Sequence, residues 1–149
     1  MMPIMNPDQI LIQRFLQNPV EPLPVDSNPL AVALQTRLVQ VDPRQGRVVL
    51  AFTPQSLFIQ GTGVLQGGAV SAMLDFAMAF AVMASRLDAN GCATVNLNTA
   101  FVRPAPQGAY RATGLIDKQG KNMAFAQARL ERIENGALVA TATSTLAMS

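Results

Sequence analysis

The sequence predicts an α+β domain in which an antiparallel sheet wraps one long apolar helix. Three observations predict it. Residues 69–84 form an apolar run rich in Ala, Met, Leu and Phe, with Asp75 as its only charge, and these residue types favour helix. Six strand-like stretches surround that run, two before it and four after it, each bounded by turn residues. Short turns between consecutive strands make a sheet antiparallel, and a single apolar helix is then available to cover its face.

In order, Asn6-Pro7-Asp8 caps a short amphipathic helix reaching to about Gln17, with Ile10, Leu11, Phe15 and Leu16 as its apolar face. Asn18-Pro19 ends it, and the prolines that follow keep the next segment extended or looped. Residues 1–34 therefore read as an N-terminal helix with a proline-rich covering arm, and residues 35–149 as the main domain. Residues 35–41 and 47–53 are strand-like and flank the turn Asp42-Pro43-Arg44-Gln45-Gly46, hence a hairpin. The central helix, predicted over about 68–87, opens from a glycine-punctuated lead at Gly61, Gly63, Gly67 and Gly68. Asn90-Gly91 then turns the chain into residues 92–102, where Val95, Leu97, Thr99 and Phe101 alternate with Thr94, Asn96, Asn98 and Ala100. That period of two is a strand. Turns at 103–108, 118–121 and 134–136 separate three further strands over 109–117, 122–133 and 137–147.

Composition excludes much chemistry. At 149 residues the chain is one domain, able to bury roughly 70% of its unfolded surface. Half of its residues are hydrophobic and 13% are charged, which suits a large subunit interface. The longest apolar run falls short of the ~20 residues of a membrane span and carries Asp75 at its centre. The start, MMPIMNPDQ, lacks the basic and apolar regions of a signal peptide, so the expected location is the cytoplasm. A net charge of +2 with scattered cations gives no nucleic-acid stripe. One cysteine, Cys92, excludes an internal disulfide and a Cys cluster for zinc. There is no histidine, so Ser-His-Asp and Cys-His mechanisms fall away. Carboxylate catalysis remains.

Asp75 is the acid placed inside an apolar element. Its helical neighbours Ser71, Ala72, Met78 and Ala79 bring no second charge. Burying a lone carboxylate costs several kcal/mol or raises its pKa unless partners are supplied; it is either a reactive group or a carboxylate satisfied by backbone or an Arg at a subunit contact. The first turn of the helix presents free N–H groups and the positive end of the helix dipole. A polarised carbonyl oxygen fits there, and Gly67 and Gly68, without a Cβ, let it approach; a tight helix start alone would also explain them. Eight residues at about 1.5 Å each separate Gly67 from Asp75 by about 12 Å. One reacting carbon cannot touch both within one chain. If both act, two antiparallel copies of the helix meet, with Gly67 of one opposite Asp75 of the other, in an obligate dimer.

Order and motifs together resemble the hot-dog fold, and specifically the PaaI-like (phenylacetic-acid-degradation) branch of the acyl-CoA thioesterases. The resemblance runs from about Gln35 to Leu146. The family's G-x-x-H-G-G stands here as Gly63-Val64-Leu65-Gln66-Gly67-Gly68, with Asp75 nine residues after Gln66. Its F-x-R-P pattern stands as Phe101-Val102-Arg103-Pro104, and Gly108 and Gly120 fall at its turn glycines. The resemblance implies that Asp75 is the catalytic carboxylate, as general base or as nucleophile. It implies that the Gly67 N–H polarises the thioester carbonyl, that Gln60 helps hold the carbonyl or the water, and that Thr94 positions the water. Gln66 and Gly68 complete the substrate-binding set. Gln66 departs from the family's histidine: it can donate a hydrogen bond but cannot titrate.

The implied activity is hydrolysis of acyl-CoA thioesters, with no metal or redox cofactor, by a homodimer that pairs further into a dimer of dimers. Coenzyme A phosphates need cations, and Arg103, Lys118 and Lys121 are candidates, each equally read as a plain surface charge. The second reading, motivated by Gln66, is a non-catalytic acyl-CoA-binding or interaction protein of the same fold. The Ala- and Met-rich helix suggests an adaptable pocket and leaves the acyl group, aromatic, short or long, open.

Overall fold

The structure, a computed structural model, describes residues 5–148. Residues 1–4 of MMPIMNPDQ, part of the stretch behind the signal-peptide expectation, lie outside the described residues. Helix α1 runs Pro7–Gln17, capped by the Asn6 side chain, which accepts from the Asp8 and Gln9 N–H groups. Its buried face is Leu11, Ile12 and Phe15 with Gln9, whereas Ile10 is exposed; the apolar stripe is rotated from the expected one. Gln9 makes that rotation possible. Fully buried, it donates through Nε2 to the Met83 carbonyl (2.8 Å) and accepts from the Gly91 N–H (3.2 Å) through Oε1.

The proline-rich arm holds more order than expected. A two-residue strand β1 (Leu23–Pro24) and a short helix α2 (Pro29–Ala33, capped by Asn28) interrupt it. The Asp8 carboxylate accepts from Ser27 and Asn28 and ties the arm back to α1. Strands β2 (Arg37–Asp42) and β3 (Arg47–Phe52) form the expected hairpin, with Gly46 at φ +63° closing its turn. Then come the central helix α3 (Gly67–Ser85) and strands β4 (Cys92–Phe101), β5 (Tyr110–Gln119), β6 (Met123–Arg132) and β7 (Leu138–Met148).

Every pairing is antiparallel, and the sheet order is β1-β2-β3-β5-β6-β7-β4. Local turns alone would place β4 beside β5. Instead β3 pairs with β5, and β4 crosses to the far edge, running from Cys92 opposite Met148 to Phe101 opposite Ala140. The connection from β4 to β5 passes the start of α3, where Leu65 donates to the Ala105 carbonyl (2.7 Å) and Val64 bridges to Pro106.

The sheet packs against α3 closely enough to require glycine beneath it: a Cβ on Gly114 of β5 would lie 2.2 Å from the Ala77 carbonyl oxygen. Met73, Leu74, Ala77, Met78, Phe80 and Ala81 are buried there. By length and composition this helix could cross a membrane, beyond what the apolar run suggested, but most of it is buried within the protein's own sheet. A helix apolar all round was expected to be buried all round. Instead Ser71, Ala72, Asp75, Phe76 and Ala79 are only half-buried, a stripe running beside the edge strand β4.

Candidate active site

The candidate residues fall into two groups at different points along α3. The first is the helix start. Gly63, at φ +86°, donates to the Gln60 carbonyl (2.9 Å), and the Gln66 N–H donates to the Phe58 carbonyl (2.7 Å), so the lead into the helix is anchored. Gln66 is the N-cap, and its carbonyl accepts from Ala69 and Val70. Its side chain makes no capping bond. Among the described residues nothing accepts from the N–H groups of Gly67 and Gly68, which remain available with the positive end of the helix dipole behind them.

Gly67 lines a cleft of about 620 Å³ with Gln60, Val64, Val70, Phe101 and Arg103. The Phe101 ring is 3.3 Å from where a Gly67 Cβ would stand, so this glycine serves packing as well as approach. Gln60 Oε1 accepts from the Thr62 N–H and hydroxyl (2.8 and 2.7 Å), orienting the amide at the cleft rim. Arg103 donates to the Leu138 carbonyl (2.7 Å), which places a cation on the cleft wall. Lys118 and Lys121 are elsewhere. They flank the far end of α3, where Ser85 donates to Gln119 (2.8 Å) and Arg86 donates to the Lys121 carbonyl (2.9 Å).

The second group is Asp75 with Thr94. The Thr94 hydroxyl donates to Asp75 Oδ1 at 2.8 Å, and a register irregularity in β4 between Thr94 and Asn96 lies beside it. Burial raises the Asp75 pKa above the ordinary carboxylate value, with the Thr94 hydrogen bond pulling in the opposite direction. Cys92, one turn further along, is pushed up to about 12 by burial and then by the Asp75 charge. Its thiol is therefore protonated and unreactive at neutral pH. Among the described residues no group of three His, Cys, Asp or Glu side chains could hold a metal ion.

The structure thus brings Asp75 to Thr94, and Gln60 to Gly67. Gln66 and Gly68 stand exposed at the helix start outside the cleft lining. Neither Asp75 nor Thr94 lines that cleft, in keeping with the ~12 Å that eight helical residues span. Sequence reasoning missed Phe101 as the ring packed on the helix start. It also missed the hydrogen bond from Ser71 to Thr99 (2.9 Å), for which the signal was Ser71 lying four residues before Asp75.

Residues 62–139 match the Thioesterase superfamily, just over half of the chain. The chain belongs to the thioesterase superfamily. Membership supports thioester hydrolysis as the class of reaction and an oligomeric assembly as the setting. Among solved structures of this superfamily fold, the phenylacetic acid degradation-related protein of Ralstonia eutropha JMP134 is 32% identical. The match covers 91% of this chain and 98% of that one, with a TM-score of 0.79. A thioesterase family protein from Silicibacter pomeroyi is 25% identical, over 94% of this chain and 96% of that one, with a TM-score of 0.76. A variant of the phenylacetic acid degradation protein PaaI from Thermus thermophilus, at 22% identity, shares the fold over 80% of this chain and 98% of that one, with a TM-score of 0.69. No curated protein sequence matches the chain. The hot-dog architecture and its PaaI-like character stand on these likenesses.

Proposed function

We propose that this thioesterase hydrolyses acyl-CoA thioesters in the cytoplasm as a homodimer, with dimers pairing further, and without a metal or redox cofactor. The observation that carries the reading is a half-buried carboxylate of raised pKa, hydrogen-bonded by Thr94, on the same helix as the free N–H of Gly67 but about 12 Å from it. Each is half of an acyl-transfer site. A second, antiparallel copy of α3 completes both at once.

In this site the thioester carbonyl oxygen accepts from the Gly67 N–H of one subunit, where the helix dipole stabilises the charge that develops on it. Gln60 steadies the carbonyl from the rim, and Gln66 and Gly68 border the bound thioester. Asp75 of the other subunit either takes a proton from water as the water oxygen bonds to the carbonyl carbon, or attacks that carbon itself and is freed by water afterwards. Thr94 orients the carboxylate and the water. In both routes the C–S bond breaks, the electron pair leaves on sulfur, and a proton from water ends on the thiol of coenzyme A. The Arg103 guanidinium offers a contact for phosphates at the cleft mouth.

Thiol release over a panel of aromatic, short-chain and long-chain acyl-CoAs tests the reading and identifies the acyl group. Positioned acid–base catalysis contributes on the order of 10² to 10⁴ in rate, so Asp75→Asn is expected to lower kcat by about that factor while the dimer persists. Undiminished turnover in that variant would remove the assignment. One observation favours a second reading: Gln66, which stands where the family motif the sequence resembles has a titratable histidine, makes no capping bond. A protein that has kept the dimer and lost the chemistry would bind acyl-CoA saturably and release no thiol.

A further inference from the structure

Two prolines leave the connection between β4 and β5 short of donors. Pro104 and Pro106 have no N–H, so this loop is held chiefly by what its carbonyls accept. The Ala105 carbonyl takes the Leu65 N–H (2.7 Å). The Pro106 carbonyl takes the hydroxyl of Tyr110, which is the one side-chain hydrogen bond reaching residues 104–108 among the described residues. Tyr110 opens β5 as a fully buried side chain, level with Phe52 on β3 and Arg132 on β6. A buried phenol needs a partner, and this one finds it in the loop. Burial raises its pKa while Arg132 pulls the other way; the phenol stays protonated at neutral pH and donates.

The loop in turn holds the lead into α3. Residues 64–66 lie between two backbone neighbours. On one side Val64 bridges to Pro106 and Leu65 donates to Ala105. On the other, Leu65 bridges to Ile59, the Gln66 N–H donates to the Phe58 carbonyl (2.7 Å), and the Val64 carbonyl accepts from the Gln60 N–H (2.8 Å). The next residue is Gly67. We propose that Tyr110 is a positioning residue for the Gly67 N–H: its hydroxyl fixes the 104–106 loop, the loop fixes residues 64–66, and these set where that N–H meets a substrate carbonyl. Tyr110 itself lines no part of the cleft, so it acts through the backbone. A misplacement of about 1 Å in a positioned group can cost about 10²-fold in rate. The loss falls on kcat, because the charge that the N–H stabilises develops in the transition state.

The inference rests on the hydrolytic reading above, and the experiment tells the two apart. Benzoyl-, butyryl- and palmitoyl-CoA serve as substrates for steady-state kinetics. Tyr110→Phe keeps the ring and removes the hydroxyl, so kcat is expected to fall about 10- to 100-fold with KM little changed. Gln9→Leu removes another buried side-chain tie, at the other end of α3; it is expected to lower the melting temperature and leave kcat in place. A covalent tie then tests rescue. Val64→Cys with Pro106→Cys, in a Cys92→Ala background, sets two thiols on a bridged pair, whose usual Cα separation of about 4.5–5.5 Å suits a disulfide. Diamide closes it by taking up two electrons and two protons. In the Tyr110→Phe background closure is expected to bring kcat back to that of the same disulfide variant carrying tyrosine, and reductant to lower it again. A folded Tyr110→Phe protein with unaltered kcat overturns the positioning role, and so does a fall in kcat that the closed disulfide leaves uncorrected. Should Tyr110→Phe not fold alone, the closed form is compared with its tyrosine counterpart: equal kcat supports the role and a lower one overturns it. Loss of turnover in Asp75→Asn beside an unaltered Tyr110→Phe discards the positioning role and keeps the hydrolytic reading. Absence of thiol release from the unaltered protein discards both.

Discussion

Thr94 and burial act on the same carboxylate in opposite senses, and both leave a trace in pH dependence. Burial raises the Asp75 pKa and the Thr94 hydroxyl lowers it, with burial the larger. As a base, Asp75 works only when ionised, so kcat/KM is expected to rise with pH through a single ionisation lying above the ordinary ~3.9 of aspartate. Thr94→Val removes the opposing hydrogen bond, and the acid limb of the profile is expected to move to higher pH, while Thr94→Ser leaves it in place. An unmoved limb in Thr94→Val would mean that the hydroxyl does not set the ionisation that governs turnover. Stability carries the reverse sign. Because the folded chain favours the protonated carboxyl, the Asp75 contribution is most favourable below the unfolded pKa and is lost as pH rises through the raised folded value. Asp75→Asn is therefore expected to melt no lower than the unaltered protein at pH 7, even as it loses activity. A thermal melt at pH 7 and again near pH 3 checks this, since any advantage of the variant should vanish at the lower pH. Asp75 was recognisable from sequence because a single charge in a sixteen-residue, otherwise largely apolar run contradicts its surroundings.

At the scale of elements, the join between helix and sheet leaves no room at Gly114. Gly114 lets α3 sit directly on β5, and a methyl group there would press to 2.2 Å from the Ala77 carbonyl oxygen, with backbone atoms that cannot turn aside. Gly114→Ala is expected to cost at least about 2 kcal/mol, a fall of about 4–8 °C in melting temperature for a chain of this size. A melting point within a degree of the unaltered protein would show that the helix has slack above the sheet. Gly114 escaped the sequence reading because nothing local distinguishes a glycine under a helix from one in a bulge. The same limit applies to β4. Its alternation made it legible as a strand, but its place beside β7 is set by a long-range pairing that no turn residue announces. The face of α1 was misread for a related reason. Ile10 and Ile12 are equally apolar, and the choice between them is made by Gln9, whose buried amide binds the Met83 carbonyl and the Gly91 N–H from the core side.

At the scale of the whole molecule, helix rise alone separates Gly67 from Asp75, and that much was legible in the sequence. The resemblance supplied Thr94 and Gln60, which no spacing rule singles out. The consequence for the assembly can be tested by mixing subunits. Gly67→Pro removes the backbone N–H at the first helical position, where proline is tolerated. The Phe101 ring beside it is 56% exposed and has room to yield. Homodimers of Gly67→Pro and of Asp75→Asn are each expected to be inactive, since every site lacks one half. In a mixed dimer one site carries both defects and the other carries neither. Random pairing makes half of the dimers mixed, each with one intact site of two, so remixing by co-expression or by unfolding and refolding together should restore about a quarter of wild-type turnover. Were Asp75 and Gly67 to serve the same substrate within one chain, every chain in the mixture would remain defective and turnover would stay at the level of the separate variants. Recovery on mixing thus depends on how the two helices are placed against each other, and no property of the isolated chain can imitate it.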